Sequence, residues 1–323
     1  MKNALSITAI FISVFLLSSF KSKAEKDTVR VGIYITSIHN IDFKDMEYSI
    51  TFWLWLKYKN KTLDFLHTLE IPNAKEYHYE FVDIDSSNDK ISALMKVQCV
   101  MKDVWRIRKF PFDKQKLWLT IENSKYDTRF LLFERDIPAG KICDKRIRFA
   151  LGDWAVDSCT TEIDTSAYET AFNDETIKIP HSDYSAFKVR LFISRHTAGL
   201  LFWKLFIGMY IAFLIAILCF YIRPDNYDSR FQLSVGSLFA TIGNKYIVES
   251  SLPESTTFTL VDSLHGLTLF FILLTIAGTI CSLIIKSGKR PSAAIKFDKI
   301  APLTLFIVYF SCNLYLILRS HSG

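Results

Sequence analysis

The chain has 323 residues, enough for two domains of ordinary size, and half of its residues are hydrophobic and 15% aromatic. Its formal charge of +6 comes from basic residues scattered among acidic ones, with no basic block and no nucleic-acid motif, which excludes a nucleic-acid partner as the meaning of that charge. The hydrophobicity is uneven, because the long uncharged runs lie almost wholly after Leu200.

Residues 1–24 read as a signal peptide. Lys2 precedes the apolar stretch Ala4 to Leu17, and Ser22-Lys23-Ala24 supplies small residues at a cleavage site. The apolar run is short for a span, which needs about 20 residues, and cleavage after Ala24 sends the rest of the chain toward an oxidising compartment.

Residues 25–198 read as an all-β domain. Val29 to Ile35, Tyr48 to Tyr58 and Leu117 to Ile121 are β-branched or aromatic runs of strand length. In Phe187 to Ile193, Phe187, Val189, Leu191 and Ile193 face one way while Lys188 and Arg190 face the other, the alternation of a half-buried antiparallel strand. Turn-rich stretches such as Asp85-Ser86-Ser87-Asn88-Asp89 separate the runs, and many short strands so punctuated argue for a sandwich. Of the six cysteines, Cys219, Cys281 and Cys312 sit in apolar runs, while Cys99, Cys143 and Cys159 fall in the exported half. Cys143 and Cys159 are a candidate disulfide, although spacing alone does not fix the geometry such a bridge needs. No cysteine pair has zinc-ligand spacing and the seven histidines are dispersed, so neither a metal nor another cofactor is expected.

Residues 199–323 read as four helices, about 199–222, 227–250, 260–286 and 299–319. Leu205 to Ile222 is 18 residues without a charge, Gly266 to Ile285 is 20, and Ile300 to Leu318 is 19. Each is long enough to cross about 30 Å of hydrocarbon as a helix. Phe231 to Val248 differs, carrying Gln232, Ser234, Ser237, Thr241, Asn244 and Lys245. Lipid is a costly place for such groups, so this helix must be shielded by others or line water. Lys286, Lys289, Arg290, Lys296 and Lys299 cluster between the last two runs and place that segment in the cytoplasm. With an exported N-terminus, Glu249, Glu254 and Asp262 then lie outside.

Phe110-Pro111-Phe112-Asp113 with Gln115 resembles the signature loop of the Cys-loop receptor superfamily. The positions of that loop's two cysteines hold Asp103 and Leu117, as in bacterial members that lack the bridge. Tyr58, Asn60 and Leu63 resemble the family's Trp-Asp-Leu pattern, Tyr126-Asp127 follows the signature at the family's distance, and Phe187 to Arg195 resembles its last sandwich strand. Arg230 and Pro253 lie 23 residues apart, as at the two ends of the family's pore helix. Three features depart from the pattern. No proline lies within the first membrane run, Ser124 stands where animal receptors carry a binding-loop tryptophan, and no clear Trp-x-Pro segment occurs.

The resemblance implies a bacterial pentameric ligand-gated ion channel. Its subunit would have a periplasmic or extracellular all-β immunoglobulin-like sandwich and an all-α four-helix transmembrane bundle, set in the inner (cell) membrane as a homopentamer. Its partners would be a small-molecule or ion agonist, permeant monovalent cations and membrane lipid. It assigns the agonist site between adjacent sandwiches to Trp53, Tyr126 and Tyr184, although Trp53 and Tyr126 also suit sandwich packing. It assigns the coupling of binding to gating to Asp42, Asp113, Arg195, Glu249 and Pro253, with Asp113 alternatively a turn residue of its own loop. For the pore helix two faces compete. The family frame puts Asp228, Gln232, Gly236, Phe239, Gly243, Tyr246 and Ser250 on the axis, whereas amphipathicity draws Arg230, Ser234, Ser237, Thr241 and Asn244 or Lys245. A membrane-anchored sensor that does not conduct is the alternative function, and the polar residues of Gln232 to Lys245 argue against it. A transporter would show internal repeats and broken helices, and an enzyme a nucleophile-base or metal constellation; neither pattern is apparent.

Overall fold

The computed structural model describes residues 26–87, 90–136, 141–144, 146–147, 152–172, 174, 179–288 and 291–321. The expected signal peptide, the turn residues Asn88 and Asp89, and the basic pair Lys289 and Arg290 lie outside them.

Among the described residues nine strands form two sheets. β1 (Asp27–Asp42), β2 (Glu47–Tyr58), β4 (Ala74–Ser87), β5 (Lys90–Lys102) and β7 (Leu131–Arg135) make a five-stranded sheet in the order β4-β5-β2-β1-β7. β3 (Leu69–Glu70), β6 (Lys114–Asn123), β8 (Trp154–Tyr168) and β9 (Ser182–Arg195) make a four-stranded sheet in the order β3-β6-β9-β8. All pairs are antiparallel except β1 with β7. The short helix α1 (Phe65–Thr68) precedes β3. Alternation sets the faces: Ile91, Ala93, Met95, Val97, Cys99 and Met101 of β5 are buried, as are Phe187, Val189, Leu191 and Ile193 of β9. Gly32 has room for no side chain, since a Cβ there would stand 2.2 Å from the Trp55 ring. Cys143 and Cys159 are joined as a disulfide, and Cys143 also bridges to Ile35 of β1, so the segment after β7 is tied to both sheets.

β9 runs into α2 (Ala198–Leu218) across Thr197, followed by a 3₁₀ turn at Cys219–Tyr221. Then come α3 (Tyr227–Glu249), α4 (Leu260–Ser287) and α5 (Pro291–His321). A capping box starts α4, with Thr259 and Asp262 each satisfying the other's backbone N–H. Ala198–Tyr221, Leu260–Ser287 and Ser292–Ser320 are long and apolar enough to cross a membrane, with mean hydropathy 2.3, 2.5 and 1.9. α3, the mixed helix, is not among them.

The fourth helix starts at Pro291 rather than near 299. Lys296, Asp298 and Lys299 interrupt the hydropathy without interrupting the backbone hydrogen bonding, so a reading by apolar run begins too late. Lys296 and Lys299 consequently ride on α5 instead of a loop.

Candidate functional site

Where the sandwich meets the helices, Asp113 and Arg195 form a buried ion pair. Arg195 Nε donates to Asp113 Oδ1 at 3.1 Å, with side-chain exposures of 8% and 1%. Gln115 completes the carboxylate by donating from Nε2 to Oδ2 at 2.6 Å, while its Oε1 accepts the Arg106 N–H at 2.9 Å. The Arg195 guanidinium is also walled by rings, lying 4.0 Å from the centre of Trp154, 4.7 Å from Phe43 and 5.2 Å from Phe110. Burial pulls its pKa below the usual arginine value, and Asp113 acts against that pull. The peptide bond Phe110–Pro111 is cis. Through its bonds to Arg195 and Gln115, Asp113 holds its own loop to the last residue of β9.

That loop then touches the helices. Phe112 packs on Phe202 of α2 with ring centres 5.6 Å apart, and the Leu260 N–H at the start of α4 donates to the Arg108 carbonyl at 2.9 Å. Beneath it, Pro253 and Glu249 line a cavity of about 310 Å³ together with Ile107, Leu252 and Asp262. Asp42 is not part of the charge network. Its Oδ1 accepts the Asp45 N–H at 2.9 Å and so serves its own β1–β2 turn, and the neighbour that reaches Arg195 is Phe43. Lys245 is balanced between two carboxylates, Glu249 at 3.0 Å and Asp262 at 3.2 Å. Phe43 and Trp154 went unread in the sequence, since nothing local marks them, and the pairing of Lys245 was missed although Glu249 follows it at i,i+4.

α3 has two sharply different faces. Arg230, Ser234, Ser237 and Thr241 are buried within the chain's own bundle. The three hydroxyls donate to the carbonyls of Arg230, Leu233 and Ser237 at 3.1, 2.8 and 2.9 Å, so each is satisfied without water. Asn244 reaches the Leu205 carbonyl on α2 and His265 on α4. On the other side Asp228, Gln232, Gly236, Phe239, Gly243, Tyr246 and Ser250 are all exposed, Phe239 by 66% and Tyr246 by 75%. Of the two competing faces, the one bearing Phe239 is open to whatever surrounds the subunit, and the polar stripe is closed.

The aromatic residues assigned to agonist binding fall on two sheets. Trp53 stands on β2 with its ring 5.7 Å from Phe81 of β4. Tyr184 is on β9 itself, beside the β8–β9 connection and not within it. It forms a three-ring group with Tyr168 and Phe172, whose mutual centre distances are 5.4 to 5.9 Å. Phe172 is held at φ 43°, a left-handed backbone costing about 1–3 kcal/mol for a bulky residue. The buried Glu122 accepts from Tyr168 Oη at 2.9 Å and from Ser166 Oγ. Tyr126 lies against the core, and its loop is fastened beside Tyr184 by Thr128 N–H donating to Asp183 O at 2.7 Å. Tyr168, Phe172 and Glu122 were not singled out from sequence, because only the pairing of β8, β9 and β6 and the chain after β8 bring them near Tyr184. Among the described residues no cluster of histidine, cysteine or carboxylate side chains is arranged to hold a metal ion.

No family model matches the chain. It is similar to a proton-gated ion channel of Gloeobacter violaceus, with 22% identity over 310 residues that cover 90% of this chain and 82% of that protein. The likeness extends through sandwich and helices alike, which supports a membrane ion channel.

Proposed function

We propose that this chain is one subunit of a homopentameric ligand-gated ion channel of a bacterial inner membrane. Agonist binding between neighbouring periplasmic sandwiches opens a central, cation-selective pore lined by α3. The observation that carries this reading is the division of α3: its polar stripe is consumed inside the subunit, while Asp228, Gln232, Phe239 and Tyr246 face outward from a helix too polar for lipid. Five copies around an axis give that face water. Trp53 and the Tyr184 group lie on different sheets, which suits a pocket completed by two adjacent copies. The buried Asp113–Arg195 pair then links the strand bearing Tyr184 to the loop that touches α2 and α4, and agonist acts by favouring the open arrangement of these packed surfaces. Fivefold repetition makes Asp228 a carboxylate ring at the inner mouth, which attracts cations.

Phe239 projects from mid-helix between Gly236 and Gly243, so five phenyl rings form a narrow apolar neck that sheds water when closed. Planar-bilayer recording tests this, with acid steps as the first stimulus because the relative is proton-gated. Phe239→Ser is expected to give leak current without agonist while oligomers form normally. Monomers alone in native mass spectrometry, or a wild-type protein that never conducts, return the chain to the reading of a non-conducting sensor.

A further inference from the structure

At the end of the helices farthest from the sandwich, a full positive charge is sealed from solvent. Arg230 has no exposed surface. Its Nε donates to the Ile222 carbonyl at 2.9 Å, just beyond α2, and Nη2 donates to the same oxygen. Nη1 donates to Ser282 Oγ of α4 at 3.3 Å. Nη1 and Nη2 both reach Asp298 of α5, at 3.4 and 2.6 Å. One guanidinium on α3 thus gathers the residue that follows the 3₁₀ turn, α4 and α5, and Asp298 supplies the negative charge opposite it. Asp228 precedes Arg230 by two residues, a turn of about 200° around a helix, and is exposed on the other side.

A buried guanidinium tolerates burial only while paired and hydrogen-bonded. If Asp298 is neutralised, the pairing is lost, and the long arginine side chain gains by turning toward the nearest water, at the foot of α3 beside Asp228. We propose that Asp298 is a specificity-determining residue of the pore: from a helix that packs chiefly on α4, it holds the charge of Arg230 off the ion path and leaves ion choice at the inner mouth to Asp228. This rests on the channel reading given above, in which α3 lines the pore. Five released guanidinium groups would oppose five Asp228 carboxylates and admit anions.

Reversal potentials of the full-length protein in planar bilayers under a sodium chloride gradient, opened by acid steps, provide the test. Arg230→Gln is expected to leave the cation-to-anion permeability ratio within about twofold, since the charge it removes is hidden in the native channel. Asp298→Asn is expected to lower that ratio by about tenfold or more, and Arg230→Gln/Asp298→Asn to restore it. A shifted ratio in Arg230→Gln, or an unshifted one in an assembled Asp298→Asn, overturns the proposal. A second measurement needs no open channel. Dicarbonyl labelling of arginines in isolated oligomers, read by mass spectrometry, is expected to spare Arg230 in the native protein and modify it in Asp298→Asn, with exposed Arg223 labelled in both. Arg230 that stays protected in Asp298→Asn also overturns it. A native protein that passes no current is instead a failure of the channel reading, and the labelling result then stands by itself.

Discussion

Val29, Phe52, Leu54, Val97 and Leu191 fill the interior of the sandwich, and Lys57, Lys75 and Lys188 pair with carboxylates nearer its surface. In the helices Ser234, Thr241, Thr268, Thr275 and Ser282 are buried, while Trp203, Phe270, Leu273 and Phe306 are exposed. Both parts also bury apolar side chains, but buried hydroxyls and exposed large apolar side chains concentrate after Arg195. Water surrounds the first half and makes apolar burial its main source of stability. Around the second half an apolar medium removes that driving force, so helices associate through small polar contacts and close packing.

Substitutions that mean the same chemically should therefore differ between the halves. Phe52→Ala in the sandwich should cost about 3–5 kcal/mol, and Phe306→Ala on the outer side of α5 less than about 0.5 kcal/mol. Chemical denaturation followed by tryptophan fluorescence measures both, and equal losses would break the contrast. Asp113→Ala leaves Arg195 buried without its partner and should cost about 3–5 kcal/mol in the sandwich. If the chain is a ligand-gated channel, agonist-evoked current should also vanish in that variant while oligomers persist by size. Normal gating in it would reduce Asp113 to a local turn residue.

Reduction of the Cys143–Cys159 bridge, which spans 16 residues, should lower sandwich stability by about 3 kcal/mol and leave the helices unaffected. Thermal unfolding with and without reductant, monitored separately by near-ultraviolet and helical dichroism, checks this. The smallest difference is the sharpest. Val97→Thr places an unpartnered hydroxyl in the sandwich core and should cost about 1–3 kcal/mol. Thr275→Val removes a hydroxyl that donates to the Phe271 carbonyl and should cost only about 0.6 kcal/mol. The same denaturation curves compare the two, and a larger loss in the helices than in the sandwich would reverse the contrast.

Much of this architecture is legible wherever period and burial coincide. The alternation of Phe187 to Ile193 placed β9, and uncharged length placed α2 and α4. Pairing across long separations is not local information. Asp113 and Arg195 are 82 residues apart, and Arg230 and Asp298 are 68 apart. The family pattern pointed to the first pair, and nothing in the sequence marked the second. Amphipathicity pointed to the wrong environment for Ser234, Ser237 and Thr241 because it measures polarity, and in a membrane polarity faces protein as readily as water. Asp42 was read for its position at the border, whereas the ring of its neighbour Phe43, which carries no charge to draw attention, is what touches Arg195.

The bridge between Cys143 and Cys159 also alters what a protease can accomplish. It closes the backbone between β7 and β8 into a covalent ring, anchored on one side by Ile35 and on the other by β9 through the pairing of Cys159 with Leu191. A single cut anywhere inside that ring makes a new pair of chain ends but releases no fragment. The clipped protein would keep both sheets joined to the helices and migrate as one species until reductant separates the two pieces.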